Sequence, residues 1–318
     1  MQPLVTSPTS APAVFTKEAL HEGKPVAVRC LAIDGKTYAI RPGPVTVLAL
    51  EDEWYDEVAD PRAVIRLGED GAPPADLFTF SQRVPDVEPR FPFHLEWDEL
   101  GVLAVDSYEA WWKHKIKSRV RNHVRHAQKE GVVVERAAFD DAFVAGMTAI
   151  FNETPIRQGR SFWHYGKDFA TVKRQFSRFV FREHMIAAHH GGEMIGFVML
   201  GNAGRFGIAA QIISSIRHRD KLTNYALMAK TIEVCEAEGL RHLVYGYWSD
   251  DSLSEFKRRC GFERMRVPRY YVPLTLKGRI ALKCGAHRGV KAMMPLALQR
   301  PLKRARRLWH ERTHRETS

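Results

Sequence analysis

Two stretches of this chain concentrate side chains able to hold a charged substrate. Residues 152–166 carry Asn152, Glu153, Thr154, Arg157, Gln158, Arg160, Trp163, His164 and Tyr165. Arginine matches a carboxylate or phosphate, and aromatic rings offer stacking area. Thr154, Arg157, Arg160, Trp163, His164 and Tyr165 are therefore candidate ligand contacts, with a long ordered connection as the alternative reading. The second stretch, 217–224, reads Arg-His-Arg-Asp-Lys-Leu-Thr-Asn. Its cations precede a helix start, where unpaired N–H groups and the dipole attract anions. Arg217, Arg219, Lys221, Thr223 and Asn224 are the candidate anion contacts, and a solvated basic turn is the alternative.

A carboxylate or phenol beside a bound substrate can take up or deliver a proton. Arg241–Tyr247 alternates as a strand does, and Asp250 and Asp251 follow it at the head of the next helix. Tyr247 and Asp250 are candidate catalytic groups there. Capping of the helix is the competing role for the aspartates. Alternation places Tyr245 and Tyr247 on one strand face.

Around these residues the elements are legible. Asn224–Phe262 reads as helix, turn, strand, helix, turn, with Tyr225, Met228, Ile232 and Cys235 as the first helix's apolar stripe. Upstream, Asp34-Gly35 joins two alternating runs over 25–40, a hairpin signal. Strands are expected at Val45–Leu50, Ala63–Leu67, Leu100–Val105 and in the VVVER run, with a loop-rich 68–92 between. A long basic helix is expected from Ser107 to Gly131, and helices over 140–152 and 167–183. Paired strands at Met185–Ala188 and Met194–Leu200 flank a turn containing His189 and His190, and Phe206–Ser214 is a further strand. The fold class is α/β (α+β), a mixed sheet flanked by helices.

The order of elements over 224–262 resembles the second half of the GNAT acyltransferase fold. The ending FKRRCGF also resembles the Fem-type aminoacyltransferases, which build peptidoglycan cross-bridges on a GNAT-like fold. The resemblance spans residues 106–275, so 15–105 is a first GNAT-like half or a small β-rich domain. It implies transfer of an acyl or aminoacyl group to an amine acceptor, by direct attack on a thioester or ester. The implied donor is acyl-CoA or aminoacyl-tRNA, a co-substrate and not a resident cofactor, with the anion contacts of 217–224 as its binding residues and the ligand contacts of 154–165 as the acceptor's. GNAT enzymes place glycines before the phosphate-binding helix; Leu222 and Asn224 stand at those positions and point away from coenzyme A. Many also place a tyrosine where this chain has Lys257. Lys257 is thus implied as a catalytic cation for a developing oxyanion or a phosphate. The rival reading is an inactive GNAT-like module that binds RNA or an anionic membrane.

Composition fits a globular protein: 45% hydrophobic and 27% charged residues. The longest apolar run falls short of the ~20 residues that span a bilayer. Residues 1–14 are rich in Ser, Thr and Pro, without a signal-peptide pattern, and are expected to be disordered. Four scattered cysteines without a CxxC pair argue against zinc or disulfides, and no metal is expected. These features point to the cytoplasm, at most peripheral to the inner face of the membrane. The net charge of +11 is concentrated at one end. Residues 277–318 hold twelve Lys/Arg and two Asp/Glu, a net +10, against 36 and 35 elsewhere, a net +1. This basic tail (276–318) and the basic face of helix 107–130 are the candidate surfaces for tRNA or an anionic membrane. For the helix, an ordinary solvated face is the equal alternative.

Overall fold

Period-two apolar runs and helical stripes sort the chain into fourteen strands and eight α-helices among the described residues. The computed structural model describes residues 13–21, 24–69, 74–157, 159–249 and 252–288. The strands are β1 (Ala13–His21), β2 (Lys24–Ile33), β3 (Lys36–Arg41), β4 (Val47–Leu50), β5 (Leu77–Ser81), β6 (His94–Ala104), β7 (Val133–Ala137), β8 (Ile156–Arg157), β9 (Arg160–Ser161), β10 (Glu183–His190), β11 (Glu193–Asn202), β12 (Gly207–Ser214), β13 (His242–Tyr247) and β14 (Glu263–Pro273). The helices are α1 (Arg62–Glu69), α2 (Tyr108–Ala110), α3 (Ser118–Lys129), α4 (Asp141–Phe151), α5 (Phe169–Phe176), α6 (Thr223–Ala237), α7 (Ser252–Arg259) and α8 (Leu276–Lys283). No helix among the described residues is long and apolar enough to cross a membrane.

Contacts divide these elements into two units. Among the described residues, one takes those up to Gln82, Pro89–Glu96 and those from Pro268 to Arg288; the other takes Arg83–Glu88 and those of Trp97–Val267. The sequence placed the second body at 106–275.

In the first unit the strands run β1-β2-β3-β4-β5-β14. The Asp34-Gly35 hairpin forms as expected, pairing Ile33 with Lys36. Two expectations fail here. Ala63–Leu67 is helical: Asp60 Oδ1 accepts from the Arg62 amide at 2.9 Å, and Pro61 sits where its fixed φ suits a first helical turn. The loop-rich 68–92 hides β5, whose Leu77, Phe78 and Phe80 are buried. Phe80 stacks at 5.1 Å on both Phe78 and Tyr270, so aromatic packing makes a strand where Gly and Pro suggested none.

In the second unit the order is β6-β13-β12-β11-β10-β7. Helix α6 buries its expected stripe, Tyr225, Met228, Ile232 and Cys235, in the main core together with Val120 and Val124 of α3. Each such side chain is worth about 1.5–3 kcal/mol of transfer free energy. The long basic helix does not form as one piece. After α2 comes a π-helical turn, Trp111–Lys115, and Ile116 is extended (φ −111°, ψ 147°) before α3 begins. Buried Trp111 donates Nε1–H to the Cys260 carbonyl at 2.8 Å. Arg121 Nη1 donates to the carbonyls of Trp112 (3.0 Å) and Ile116 (2.6 Å), satisfying groups the break exposes. The expected 167–183 helix is α5 followed by a 3₁₀ turn, Ser177–Arg182. His189 and His190 close β10, and the turn itself is Gly191–Gly192. Of the basic tail, α8 and the 3₁₀ turn Ala286–Arg288 are described. Residues 289–318, the N-terminal residues 1–12 and Asp250 lie outside the described residues.

Candidate donor site at the start of helix α6

Strands β12 and β13 run parallel, but their pairing is limited to Gly207↔Leu243 and Ile208↔Val244. Beyond that point β12 stays with β11, while β13 shifts register against β6 between Val244 and Tyr247. The shift is a bulge at Tyr245–Gly246, with Gly246 at φ +58°, a conformation glycine adopts without strain. The bulge overturns the expected shared face of the two tyrosines. Tyr245 packs on the main core and burial pushes its phenol up, whereas Tyr247 is 52% exposed.

A cavity of about 340 Å³ lies at the end of β12 and the start of α6. Its lining includes Arg157, Ser215, Arg219, Thr223, Asn224 and Phe256. Leu222 enters α6 in the left-handed conformation (φ 55°, ψ 30°), and no side chain caps the helix. A branched side chain there costs roughly 1–2 kcal/mol. The glycine missing from the sequence thus stands at a position whose backbone still has the glycine-like form. Thr223 is 2% exposed, and its Oγ1 has no hydrogen-bond partner; Asn224 Oδ1 is likewise buried and unpartnered. The free amides of the uncapped helix start, the unpaired Thr223 hydroxyl, which can donate, and Arg219 make this a candidate anion site, whereas Asn224 Oδ1 is an acceptor and contributes nothing to it.

The cations expected here divide by role. Among the described residues Arg219 has no carboxylate partner, and it lines the cavity. Arg217 is instead paired with Glu153 (3.2 Å) and Glu193 (2.8 Å). Lys221 is bound to Glu130 (3.1 Å) and Asp220 (3.4 Å), and the hydrogen bond to Glu130 raises its pKa. Both of these cations read for the donor are thus paired with carboxylates, whereas Arg219 is the one of the three that lines the cavity.

Within the 152–166 loop, Ile156 and Arg157 reach the cavity. Arg157 donates from Nη1 to the Ser214 carbonyl (2.9 Å) and from Nη2 to the Ile150 carbonyl (3.0 Å), clamping β12 to α4. Its Nε is buried without a partner. Burial lowers its pKa, Glu153 opposes this, and nearby Arg219 adds to the lowering. Glu153, which sequence reasoning passed over, organises this wall. Its side chain is 5% exposed and accepts from Ser215 Oγ (2.5 Å), the Ile216 amide (2.7 Å) and Arg157 (3.3 Å). The available signal was its i,i+4 spacing to Arg157.

The other loop candidates do not converge on the cavity. Thr154 Oγ1 closes a local turn by accepting from the Ile156 amide at 3.3 Å. Arg160 is exposed opposite Arg157 in the β8–β9 ribbon. Trp163 and Tyr165 are 48% and 47% exposed, and Lys167 Nζ sits 3.9 Å over the Trp163 ring. His164 is a core residue, 1% exposed and stacked on Phe151 at 4.2 Å. Burial first, then Lys167 and Arg157, push its imidazole down to about 3.

Lys257 is 1% exposed, an uncommon setting for lysine. It does not line the cavity. Nζ donates to the Tyr247 carbonyl at 2.7 Å and lies 5.1 Å from the Tyr245 ring centre. Gly101 makes room for it: a Cβ there would sit 3.1 Å from Lys257 Cδ. The neighbouring Phe256 reaches the cavity instead and packs on Tyr225 at 5.1 Å. Burial pushes the Cys235 thiol up to about 12 and the Cys260 thiol up as well, so neither is a ready nucleophile.

No family model and no curated protein matches the sequence. Solved structures match by fold. FemX has a TM-score of 0.57 at 12% identity, over 85% of this chain and 90% of that one. The C-terminal domain of a putative lysylphosphatidylglycerol synthetase from Agrobacterium fabrum scores 0.55 at 11% identity, over 80% and 87%. L-PGS from Bacillus licheniformis scores 0.50 at 14% identity, over 74% and 81%.

Proposed function

We propose that this chain, which carries the GNAT fold in its Fem-like form, is an acyltransferase that joins an acyl or aminoacyl group to an amine. The observation that carries the reading is the uncapped start of α6, whose first residues Thr223 and Asn224 line a cavity together with Arg157 and Arg219. Donors with an activated carbonyl, acyl-CoA and aminoacyl-tRNA alike, bring phosphates for such a site. The neutral amine attacks the carbonyl directly, the C–N bond forms, the C–S or C–O bond breaks, and the proton lost by the amine ends on the departing thiol or hydroxyl. The raised thiols of Cys235 and Cys260 favour this over a thioester on the enzyme.

Arg219 and the α6 amides bind the donor phosphate, and Arg157 and Glu153 hold the wall beside it. Lys257 acts as a positioning residue: its bond to the Tyr247 carbonyl steadies the bulge at which β13 leaves β12. Leu222 beside the phosphate site favours a donor that approaches less closely than a pyrophosphate, which aminoacyl-tRNA satisfies through its phosphodiesters. Basic α3 and the basic tail supply further phosphate contacts for such a donor.

The test is to incubate the full chain with labelled acyl-CoA and, separately, with charged tRNA, in the presence of amine acceptors. Transfer from either supports the reading, and a steep loss of tRNA affinity with salt identifies the nucleic-acid donor. Binding to RNA or anionic vesicles with no transfer from either donor would make the chain an inactive module.

A further inference from the structure

The first unit holds a second group of converging side chains, made by residues distant in sequence. His94 and Glu96 begin β6, and His287 lies in the 3₁₀ turn after α8. One ligand atom from each falls within a 4.8 Å group. Glu96 Oε1 is 2.7 Å from His287 Nε2 and 3.6 Å from His94 Nε2. Arg288 Nε donates to the same oxygen at 2.9 Å. The His287 side chain is 1% exposed, those of Glu96 and His94 are 22% and 43% exposed, and Tyr271 packs edge-on against His287 at 4.8 Å.

The hydrogen inventory of His287 is the informative part. Its Nδ1 lies 3.5 Å from the Ala281 carbonyl, and its Nε2 faces a carboxylate oxygen. In the tautomer that donates Nδ1–H toward the Ala281 carbonyl, the Nε2 lone pair faces the carboxylate, an arrangement that a cation between them stabilises. A proton would serve His287 alone. It leaves unexplained a second imidazole, His94, turned by the same Nε2 atom toward the same oxygen. A metal ion uses all three. Ligand atoms on a tetrahedron with bonds of about 2.1 Å stand roughly 3.4 Å apart; the observed 2.7 and 3.6 Å lie on either side of that value. Ligating imidazoles commonly give their other N–H to a carbonyl, and ligating carboxylates accept further hydrogen bonds. Ala281 and Arg288 occupy those outer positions.

We propose that His94, Glu96 and His287 bind a divalent transition-metal ion of the zinc class, two imidazoles and one carboxylate leaving a fourth position to water. The ion clips the Ala286–Arg288 turn to the start of β6, at the point where the chain enters its basic tail.

The test uses the full untagged chain, stripped with chelator and titrated with zinc against a chromophoric chelator. One equivalent is expected to bind, at least tenfold more weakly in His94→Ala and in Glu96→Gln. His94 is a half-exposed side chain, so its loss leaves the fold intact even if His287→Ala does not. Zinc is also expected to raise the melting temperature of the wild type and not of His94→Ala. Cys284 is exposed and close in sequence; Cys284→Ser is expected to bind as the wild type does. Absence of binding, unchanged binding in His94→Ala, or loss of binding in Cys284→Ser would each overturn the site.

Discussion

Lys257 donates its Nζ to the carbonyl oxygen of Tyr247 at 2.7 Å, and this bond ties α7 to the bulge in β13. The bulge lies beyond Val244, where the parallel pairing with β12 ends, so the bond holds the part of β13 that has left β12.

Replacing the ammonium without changing the volume separates position from packing. Lys257→Met is expected to change stability by less than about 1.5 kcal/mol. It is expected to lower transfer by at least about tenfold, as small misplacements near a reacting centre do. Chemical denaturation and initial rates on the same preparations check both. Unchanged transfer would remove Lys257 from the mechanism.

The space at Gly101 exists for that lysine. Gly101→Ala puts a Cβ 3.1 Å from Lys257 Cδ and 3.4 Å from Trp248 Cε3. It is expected to cost about 1–3 kcal/mol. Adding Lys257→Ala is expected to recover part of that cost, a coupling that a double-mutant cycle measures.

Thr223 shows the opposite balance between stability and binding. Its buried Oγ1 has no partner, so Thr223→Val is expected to stabilise the ligand-free protein by about 1 kcal/mol. The same change is expected to weaken inorganic phosphate binding severalfold. Thermal denaturation with and without phosphate reads both effects. A destabilised valine variant with unaltered binding would contradict the role given to this hydroxyl.

His164 predicts a pH dependence. Its native pKa is pushed down to about 3, whereas an unfolded histidine titrates near about 6.5. Between those values the unfolded chain takes up a proton that the native core refuses. Stability therefore falls as pH drops below ~6.5, by at most about 1.4 kcal/mol per pH unit for this group. His164→Phe, keeping a ring against Phe151, is expected to flatten that part of the profile. Urea denaturation from pH 7 to pH 4 measures the difference.

Much of the scaffold was legible because its periodicities are clean. The α6 stripe and the Asp34-Gly35 hairpin stand as read. Misreadings arose where a distant partner overrides a local pattern. Trp111 reaches the Cys260 carbonyl and interrupts the basic helix, although its stripe is continuous in sequence. The apolar run at Ala63–Leu67 looks like a strand until Asp60 and Pro61 are weighed as a helix start. At the site, the Arg219-to-Asn224 stretch was identifiable from its helix start. The pairing of Arg217 and Lys221 with Glu153, Glu193 and Glu130 was not, because those carboxylates lie on other elements. Gly246 hid the bulge that turns Tyr247 away from Tyr245.

A crystal structure with a bound, non-transferable donor tests the central claim most directly. A donor phosphate is expected at the start of α6, with its oxygens about 3 Å from the Thr223 and Asn224 amides and the Arg219 guanidinium. A donor seated with its phosphates elsewhere, and that cavity filled with solvent, would contradict it.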